Sequence, residues 1–178
     1  YAVMDCRDLV IDGFSRIHGI VNMSLKNMTA EQLAYRPEEQ ANTVAWLAWH
    51  LSRVQDDHVS DLAGREQAWI ADGWHARFGK PAERKDTGFR YTAEQVAAIR
   101  PDGPELLLDY HNAVYDRTLG YLKGVSNADM DRVLNEPQWN PMPTVGVRLI
   151  SVISDNTQHA GQIAYLRGII ERRHWFPA

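Results

Sequence analysis

The most informative segment of the chain is Asp155-Asn156-Thr157-Gln158-His159-Ala160-Gly161-Gln162-Ile163. It places a carboxylate and an imidazole four residues apart, and residues at that spacing lie one above the other on one helical face. Carboxylate oxygen and neutral imidazole are ordinary ligands of a divalent metal such as zinc. A third ligand has to come from another segment, and the best candidate is His50 in Trp46-Leu47-Ala48-Trp49-His50-Leu51. The sequence therefore predicts a metal site formed by His50, Asp155 and His159.

Four segments of the chain carry apolar residues at helical spacing. They cover residues 8–27, 44–63, 104–124 and 145–172. Apolar residues that recur every three or four positions indicate a helix with one buried face. Strict alternation of apolar and polar residues, which is typical of a strand, is scarce. We therefore predict an all-α protein, a four-helix bundle that forms a single domain over residues 1–178.

The connection between the second and third helices, residues 64–102, is long for a compact bundle. It contains five aromatic residues, Trp69, Trp74, Phe78, Phe89 and Tyr91. A disordered linker rarely carries so many aromatic residues, so we expect this segment to pack on the bundle, with a short helix near 65–75. Two interpretations of Trp69, Trp74 and Phe78 remain open: they wall an open cavity leading to the metal, or they cap the core of the bundle.

The composition excludes several classes of protein. The net charge of −4 gives no indication of a nucleic-acid surface. No run of about 18 apolar residues is present, so we expect no membrane span. Cys6 is the only cysteine, which excludes an internal disulfide and fits a reducing cytoplasm. Walker, dinucleotide, G-x-S-x-G and H-E-x-x-H motifs are absent as well.

Residues around the Asp155–His159 pair favour a partly buried site. Asp155 follows three apolar residues of the same segment, Val147, Ile150 and Val152. An unpaired carboxylate would be costly to bury among them, so we expect it to have a partner. Gly161 lowers helix stability and predicts close approach of a neighbouring helix. Gln162 is predicted to hydrogen-bond in the core or to support a ligand.

Other histidines give weaker hypotheses. A rival cluster of His50, Asp57 and His58 would be spread around the helix, because residues i and i+1 do not face each other. His111 points into the bundle and is either a structural histidine or part of the same cavity. Cys6 lies at a terminus and is not predicted to be a nucleophile.

Two segments of the chain together resemble the DinB/YfiT-like metalloproteins. They are Trp46-Leu47-Ala48-Trp49-His50-Leu51 and Asp155-x-x-x-His159-Ala160-Gly161-Gln162-Ile163. The resemblance covers nearly the whole chain, and it implies a bundle with up-down-down-up connectivity, a divalent metal such as zinc or nickel, and a homodimer. His50 and His159 match the metal histidines of the family. Where Asp155 stands, many members have His and the mycothiol-dependent maleylpyruvate isomerase branch has Glu.

The resemblance also implies a function with low-molecular-weight thiols. The N-terminal part is more similar to the mycothiol S-transferase branch than to the isomerase. We therefore expect a cytoplasmic, zinc-dependent detoxification enzyme that joins mycothiol to an electrophilic small molecule. Arginine outnumbers lysine fifteen to four, which favours mycothiol over bacillithiol. Arg53 and Arg148 are candidate contacts to the thiol. A metal-binding stress protein without turnover and a metal-dependent hydrolase remain alternatives.

Overall fold

The computed structural model describes residues 4–174 of the chain, and residues 1–3 and 175–178 of the predicted domain lie outside it. Helices dominate residues 4–174, and the only pairing of strand type there is an isolated bridge between Val133 and Thr144. The helices are α1 (Cys6–Leu25), α2 (Ala30–Leu33), α3 (Val44–Leu62), α4 (Ala68–Ala71), α5 (Trp74–Arg77), α6 (Ala93–Ala97), α7 (Glu105–Leu122), α8 (Asn127–Met130) and α9 (Val145–Glu171). The prediction of an all-α protein is confirmed.

The four predicted helices correspond to α1, α3, α7 and α9, and their ends agree with the prediction to within two residues. Capping side chains explain the starts. The Thr43 side chain accepts a hydrogen bond from Trp46 N at the start of α3, and Thr144 caps α9 in the same way. Helix α1 begins at Cys6, two residues earlier than predicted, because Asp5 caps it and forms a capping box with Asp8.

Side-chain contacts give the directions of the helices around α7. Ser15 and Asn22 of α1 contact Tyr115 and Asn112 of α7, respectively, so residue numbers rise along one helix as they fall along the other. Helices α1 and α7 are therefore antiparallel. In α3, Ser52 contacts His111 and Gln55 contacts Thr118. Residue numbers rise along both helices, so α3 and α7 are parallel.

The contacts of α9 complete the arrangement. His58 of α3 contacts Arg148, and His50 lies near Asp155, so α3 and α9 are antiparallel. Gly13 of α1 faces Ile153, and further along the Ser24 carbonyl accepts a hydrogen bond from Arg167. Helices α1 and α9 are therefore parallel. The four long helices run up, down, down and up in chain order, as the family resemblance implies.

The apolar core has two parts along the bundle axis. The larger part contains Trp46, Trp49 and Trp69 and lies beside the first half of α3. The second part contains Phe14 near the start of α1 and Val59 near the end of α3. None of the helices within residues 4–174 is long and apolar enough to cross a membrane.

The connection after α3 packs on the bundle, as predicted, and the aromatic residues near α4 and α5 are largely buried. Trp69 and Trp74 belong to the larger part of the core, and Phe78 packs against it. They therefore cap the core, and the interpretation in which these three residues wall an open cavity is wrong. Their aromatic rings have enough apolar area to fill the space between α3 and α7, which drives their burial.

A buried charged network attaches this connection to α3. The two carboxylate oxygens of Asp56 accept hydrogen bonds from the backbone N–H groups of Ala68 and Trp69, and Tyr110 donates a third. The guanidinium of Arg53 lies 3.5 Å from the same carboxylate. The start of α4 is thus bound by a side chain of α3, because the charged carboxylate is a strong acceptor for its free N–H groups.

Removal of this carboxylate tests the network. We expect Asp56→Ala to lower the free energy of unfolding by about 3–5 kcal/mol, because it leaves the buried Arg53 without its anionic partner. Denaturation by guanidinium chloride measures the change. Asp61→Ala, at an exposed acid of the same helix, is the matched control and should stay within about 0.5 kcal/mol of the parent protein. Equal unfolding midpoints for the two variants would show that the network contributes little.

Candidate metal centre

Three predicted ligands converge at the face between α3 and α9. His50 Nε2 lies 4.0 Å from Asp155 Oδ2, and His159 Nε2 lies 3.6 Å from Asp155 Oδ1. One ligand atom from each residue can be chosen so that all three lie within 4.8 Å of one another. Asp155 and His159 share a face of α9 because they are one helical turn apart. Among the described residues, the structure brings together the set that the sequence predicts.

The ring of Trp46 positions both histidines. It stacks on the His50 imidazole with a centroid distance of 4.4 Å and an interplanar angle of 8°. The same indole meets His159 edge-on at 6.1 Å. Trp46 precedes His50 by one turn of α3, so its ring covers the imidazole from the side of the helix start. These ring contacts explain why a tryptophan stands four residues before His50.

Hydrogen bonds at Nδ1 orient each imidazole. His50 Nδ1 lies 2.5 Å from the Thr87 carbonyl oxygen, which can only accept, so this nitrogen carries the proton. His159 Nδ1 lies 2.7 Å from Gln162 Oε1, also an acceptor. In each ring the Nε2 lone pair is then free and faces Asp155. Such partners of metal-binding histidines fix the tautomer and raise ligand basicity, and Gln162 has the supporting place predicted for it.

The electrostatics of the site fit a cation. Burial lowers the pKa of His50, more than the Thr87 carbonyl and the Asp155 carboxylate raise it, so the ring is neutral as a ligand must be. Asp155 Oδ2 is buried and accepts no hydrogen bond from any residue in the described range 4–174. A buried carboxylate oxygen without a partner is costly, and a bound cation would remove that cost. The residues present therefore fit a divalent metal.

The surroundings of Asp155 differ from the prediction. Val147 and Ile150 are each 57% exposed, and the Asp155 side chain is 38% exposed. Gly161 is exposed too, and a Cβ built there would meet no described atom within 4 Å. The expected close approach of a helix at Gly161 is therefore wrong. Val147, Ile150 and Gly161 lie on the outward face of α9. The spacing of apolar residues alone does not distinguish this face from the buried one.

A cleft of about 310 Å³, lined mainly by polar residues, opens beside His50 and Asp155. His50 and Asp155 form one end of it, and His58 and Ser151 lie further along α3 and α9. The connection contributes Lys85, Thr87 and Phe89, so one part of the 64–102 segment does wall the site. The cleft gives a small molecule access to two of the three ligands, His50 and Asp155.

The two predicted arginine contacts have different positions. Arg53 is fully buried and donates hydrogen bonds to Tyr110, to Gln67 and to the backbone carbonyls of residues 84 and 86. A soluble thiol cannot reach this guanidinium. The prediction that Arg53 contacts the thiol is therefore wrong, and the role of Arg53 is structural. Arg148 forms an ion pair with Glu136 and donates to His58 Nδ1 over 3.1 Å. His58 lines the cleft, whereas Arg148 itself lines a neighbouring pocket.

The other histidines are separate from the metal ligands. His58 lines the cleft but is not part of the ligand cluster, so the rival set with His50 and Asp57 is not formed. Burial and the Arg148 charge lower the pKa of His58. His111 is fully buried 3.0 Å from the Ser52 hydroxyl, and burial lowers its pKa to about 3. It is a neutral structural histidine and does not line the cleft.

Comparisons with known proteins identify the family of the chain. A family model described as mycothiol-S-transferase matches residues 14–172. The chain belongs to the mycothiol-S-transferase family. Among solved structures, a conserved protein from Enterococcus faecalis is similar, with 28% identity, a TM-score of 0.87, and coverage of 96% of this chain and 100% of that one. No curated protein matches the chain.

Two groups that support the candidate site were not predicted from the sequence. The acceptor for His50 is the backbone carbonyl of Thr87, and any residue type supplies a carbonyl. Gly88 has a φ of +85°, and a Cβ there would lie 2.7 Å from the Trp49 ring and 2.9 Å from Trp46 Nε1. Only glycine combines this backbone conformation with so close an approach. The available signal in the sequence was Gly88 itself, between Thr87 and the aromatic Phe89.

Gly88→Ala tests the support of His50. The methyl group would displace the loop from Trp46 and Trp49 and move the Thr87 carbonyl, so we expect zinc affinity to fall by about 10–100-fold. Competition with a chromophoric chelator measures the affinity. Gly79→Ala is a matched control, because Gly79 also has a positive φ but faces open space. If both variants bind zinc equally, the carbonyl does not support the ligand.

Substitution of the ligands tests the site itself. We expect the parent protein to bind about one zinc ion per chain, and His50→Ala and His159→Ala to lose most of it. Asp155→Asn should bind zinc more weakly, because it removes the anionic ligand and keeps the shape. Metal content after dialysis gives the measurement, with His75→Ala in the connection as the control. Full zinc content in either histidine variant would contradict the site.

Proposed function

We propose that this protein is a zinc-dependent thiol S-transferase that joins mycothiol to an electrophilic small molecule. The observation that carries the proposal is the convergence of His50, Asp155 and His159 beside an open cleft in a chain of the mycothiol-S-transferase family. Nickel is the second candidate metal. A homodimer and a role in cytoplasmic detoxification are part of the same proposal.

The donor set suits catalysis better than a purely structural role. Three protein ligands leave one position of a tetrahedral metal open, whereas structural sites close all four. When bound there, a divalent cation lowers the pKa of a coordinated thiol, so that thiolate is present near neutral pH. The rings of His50 and His159 and the carboxylate of Asp155 would hold the ion. The cleft would admit the thiol from solvent.

The sulfur nucleophile has to come from the substrate. Cys6 is the only cysteine, and it lies at the start of α1, in the half of the bundle where α3 ends. His50 lies in the first half of α3, so Cys6 is remote from the site. In the proposed reaction the thiol loses its proton to solvent and its sulfur bonds to the electrophilic carbon. The leaving group departs with the electron pair of the bond that breaks.

Arg148 remains the proposed contact to the polar part of the thiol. Its ion pair with Glu136 fixes the guanidinium beside His58, which lines the cleft, and its hydrogen bond to Nδ1 of His58 leaves the proton of that ring on Nε2. His58 can thus donate a hydrogen bond towards the cleft. A hydroxyl-rich molecule such as mycothiol offers acceptors for such donors.

Turnover tests the proposed function. Zinc-loaded protein is incubated with monobromobimane and, in separate reactions, mycothiol, bacillithiol or glutathione. We expect conjugation with mycothiol to be fastest, to stop on chelation or in His50→Ala, and to return when zinc is added to the chelated parent protein. Cys6→Ser should keep near-normal turnover, because the nucleophile is the added thiol. Formation of the fluorescent conjugate is the measurement.

Three other outcomes would replace the proposal. Turnover that collapses in Cys6→Ser and survives complete removal of metal would assign the chemistry to the cysteine. Bound zinc without conjugation of any thiol would support a metal-binding protein without turnover. Thiol-independent, zinc-dependent cleavage of an ester substrate would indicate a metal-dependent hydrolase, in which bound water takes the open position.

A further inference from the structure

A second cavity, of about 500 Å³, lies beside the first turns of α9. One wall is the segment before the helix, with Trp139, Met142 and Pro143. The other is formed by Val147, Arg148 and Ser151 of α9, and the Arg148 charge is paired with Glu136. Its lining is mainly apolar, and more so than that of the cleft beside His50 and Asp155. Its volume lies within the range of about 300–1,000 Å³ that is usual for pockets that bind small molecules.

The walls of this apolar pocket are held in place by the described structure. Leu134 N donates a hydrogen bond of 2.8 Å to the Pro143 carbonyl, and Val145 N donates one of 3.0 Å to the Arg132 carbonyl. The ion pair between Glu136 and Arg148 joins the same segment to α9. The segment is therefore attached to the start of the helix at both of its ends, and the pocket is formed before any ligand arrives.

The pocket also leaves a costly surface in contact with water. Trp139 is 59% exposed and Met142 is 42% exposed, and Val147 on the opposite wall is more than half exposed as well. Single exposed apolar residues are common, but three that line one concavity mark a place where an apolar partner is buried. The energy gained by covering them would contribute to binding.

Position along α9 connects the apolar pocket with the metal ligands. Ser151 lines both the pocket and the polar cleft. It precedes Asp155 by one turn, or roughly 6 Å along the helix axis, and Val147 precedes Asp155 by about 12 Å. All three residues lie on one side of the helix, because they are spaced by four positions. A molecule in the pocket can therefore extend over Ser151 to the ligands.

We infer that this pocket, formed by Trp139, Met142, Pro143 and Val147, binds the apolar part of the electrophilic co-substrate. The inference rests on the proposed function and assigns the class of electrophile: an uncharged molecule with an aromatic or aliphatic body. Its reactive carbon lies towards Asp155, and its body lies one to two helical turns away. The thiol then occupies the polar cleft, so the two substrates approach the metal ligands from chemically different surfaces.

A pair of substitutions on α9 tests this assignment. Val147 and Ile150 are both branched aliphatic residues with 57% exposure, but only Val147 lines the pocket. We compare Val147→Glu with Ile150→Glu, so that each variant adds one charge to the same helix. Glu at position 147 stands three residues after the N-cap Thr144, where it can complete a capping box, so the variant should fold.

Two measurements are made on the zinc-loaded proteins. Binding of unreactive dimethylbimane is followed by its fluorescence, and conjugation is measured with monobromobimane and with the small polar electrophile iodoacetamide. In Val147→Glu we expect bimane binding to weaken and the KM for monobromobimane to rise by about 10-fold or more, because a charge in the pocket would have to be desolvated. The KM for mycothiol, zinc content and the rate with iodoacetamide should change less than twofold. Ile150→Glu should resemble the parent protein in every measurement.

The outcomes separate this inference from the proposed function. Equal bimane affinity and equal KM in the two variants would overturn the inference, even if conjugation by the parent protein confirms the function. Binding of dimethylbimane that depends on Val147 without any conjugation would sustain the apolar pocket while the transferase proposal fails. Light scattering gives a third outcome: if Val147→Glu alone dissociates a dimer and bimane binding is unaffected, the occupant is a second copy of the chain, and the inference is wrong.

Discussion

The attachment of the long connection to α3 is the constraint on which the candidate metal centre depends. Asp56 binds the free N–H groups at the start of α4, and Arg53 binds carbonyls of residues 84 and 86. Both side chains follow His50 on the same helix. The connection is thereby held against α3 at residues 68–69 and again at residues 84–86. As a result, the Thr87 carbonyl lies within hydrogen-bonding distance of His50 Nδ1. A buried ion pair is weak evidence for net stability, but here it specifies where a loop lies.

The sequence predicts the helices well because each has one face that must be buried. Apolar spacing locates α1, α3, α7 and α9. Thr43 is suited to the start of α3, because its hydroxyl can accept a hydrogen bond from a free backbone N–H. The pair Asp155 and His159 is predictable for a similar reason, since the spacing is local. The position of the Thr87 carbonyl and the burial of Arg53 cannot be predicted in this way, because both result from contacts between segments far apart in the chain. Arginine in an amphipathic helix is ordinarily exposed, and only the path of the connection explains its burial.

Helix α9 has three functional faces, and its sequence distinguishes only some of them. Val152 and Asn156 face the core, and Asp155 faces the metal centre. Val147 and Ile150 are as apolar as the core residues but lie outside it. A helix that is apolar over much of its circumference has a weak periodic signal, so spacing alone cannot separate buried residues from those of an exposed apolar surface. The error at Gly161 and the apolar pocket at Val147 have this common origin.

The charge of the ligand set explains why a carboxylate suits this site. Burial keeps His50 neutral, so Asp155 is the anionic member of the three ligands. The set would reduce a divalent cation to a net charge of about +1, and a thiolate in the open position would bring the assembly to about zero. A neutral assembly is the least costly to keep in a partly buried place, because desolvation penalises net charge. Replacement of the carboxylate by a third imidazole would leave one positive charge with the thiolate bound, and would favour additional anionic ligands. In the proposed transferase, Asp155 would therefore match the site to a single thiolate, as an enzyme that uses one thiol at a time requires.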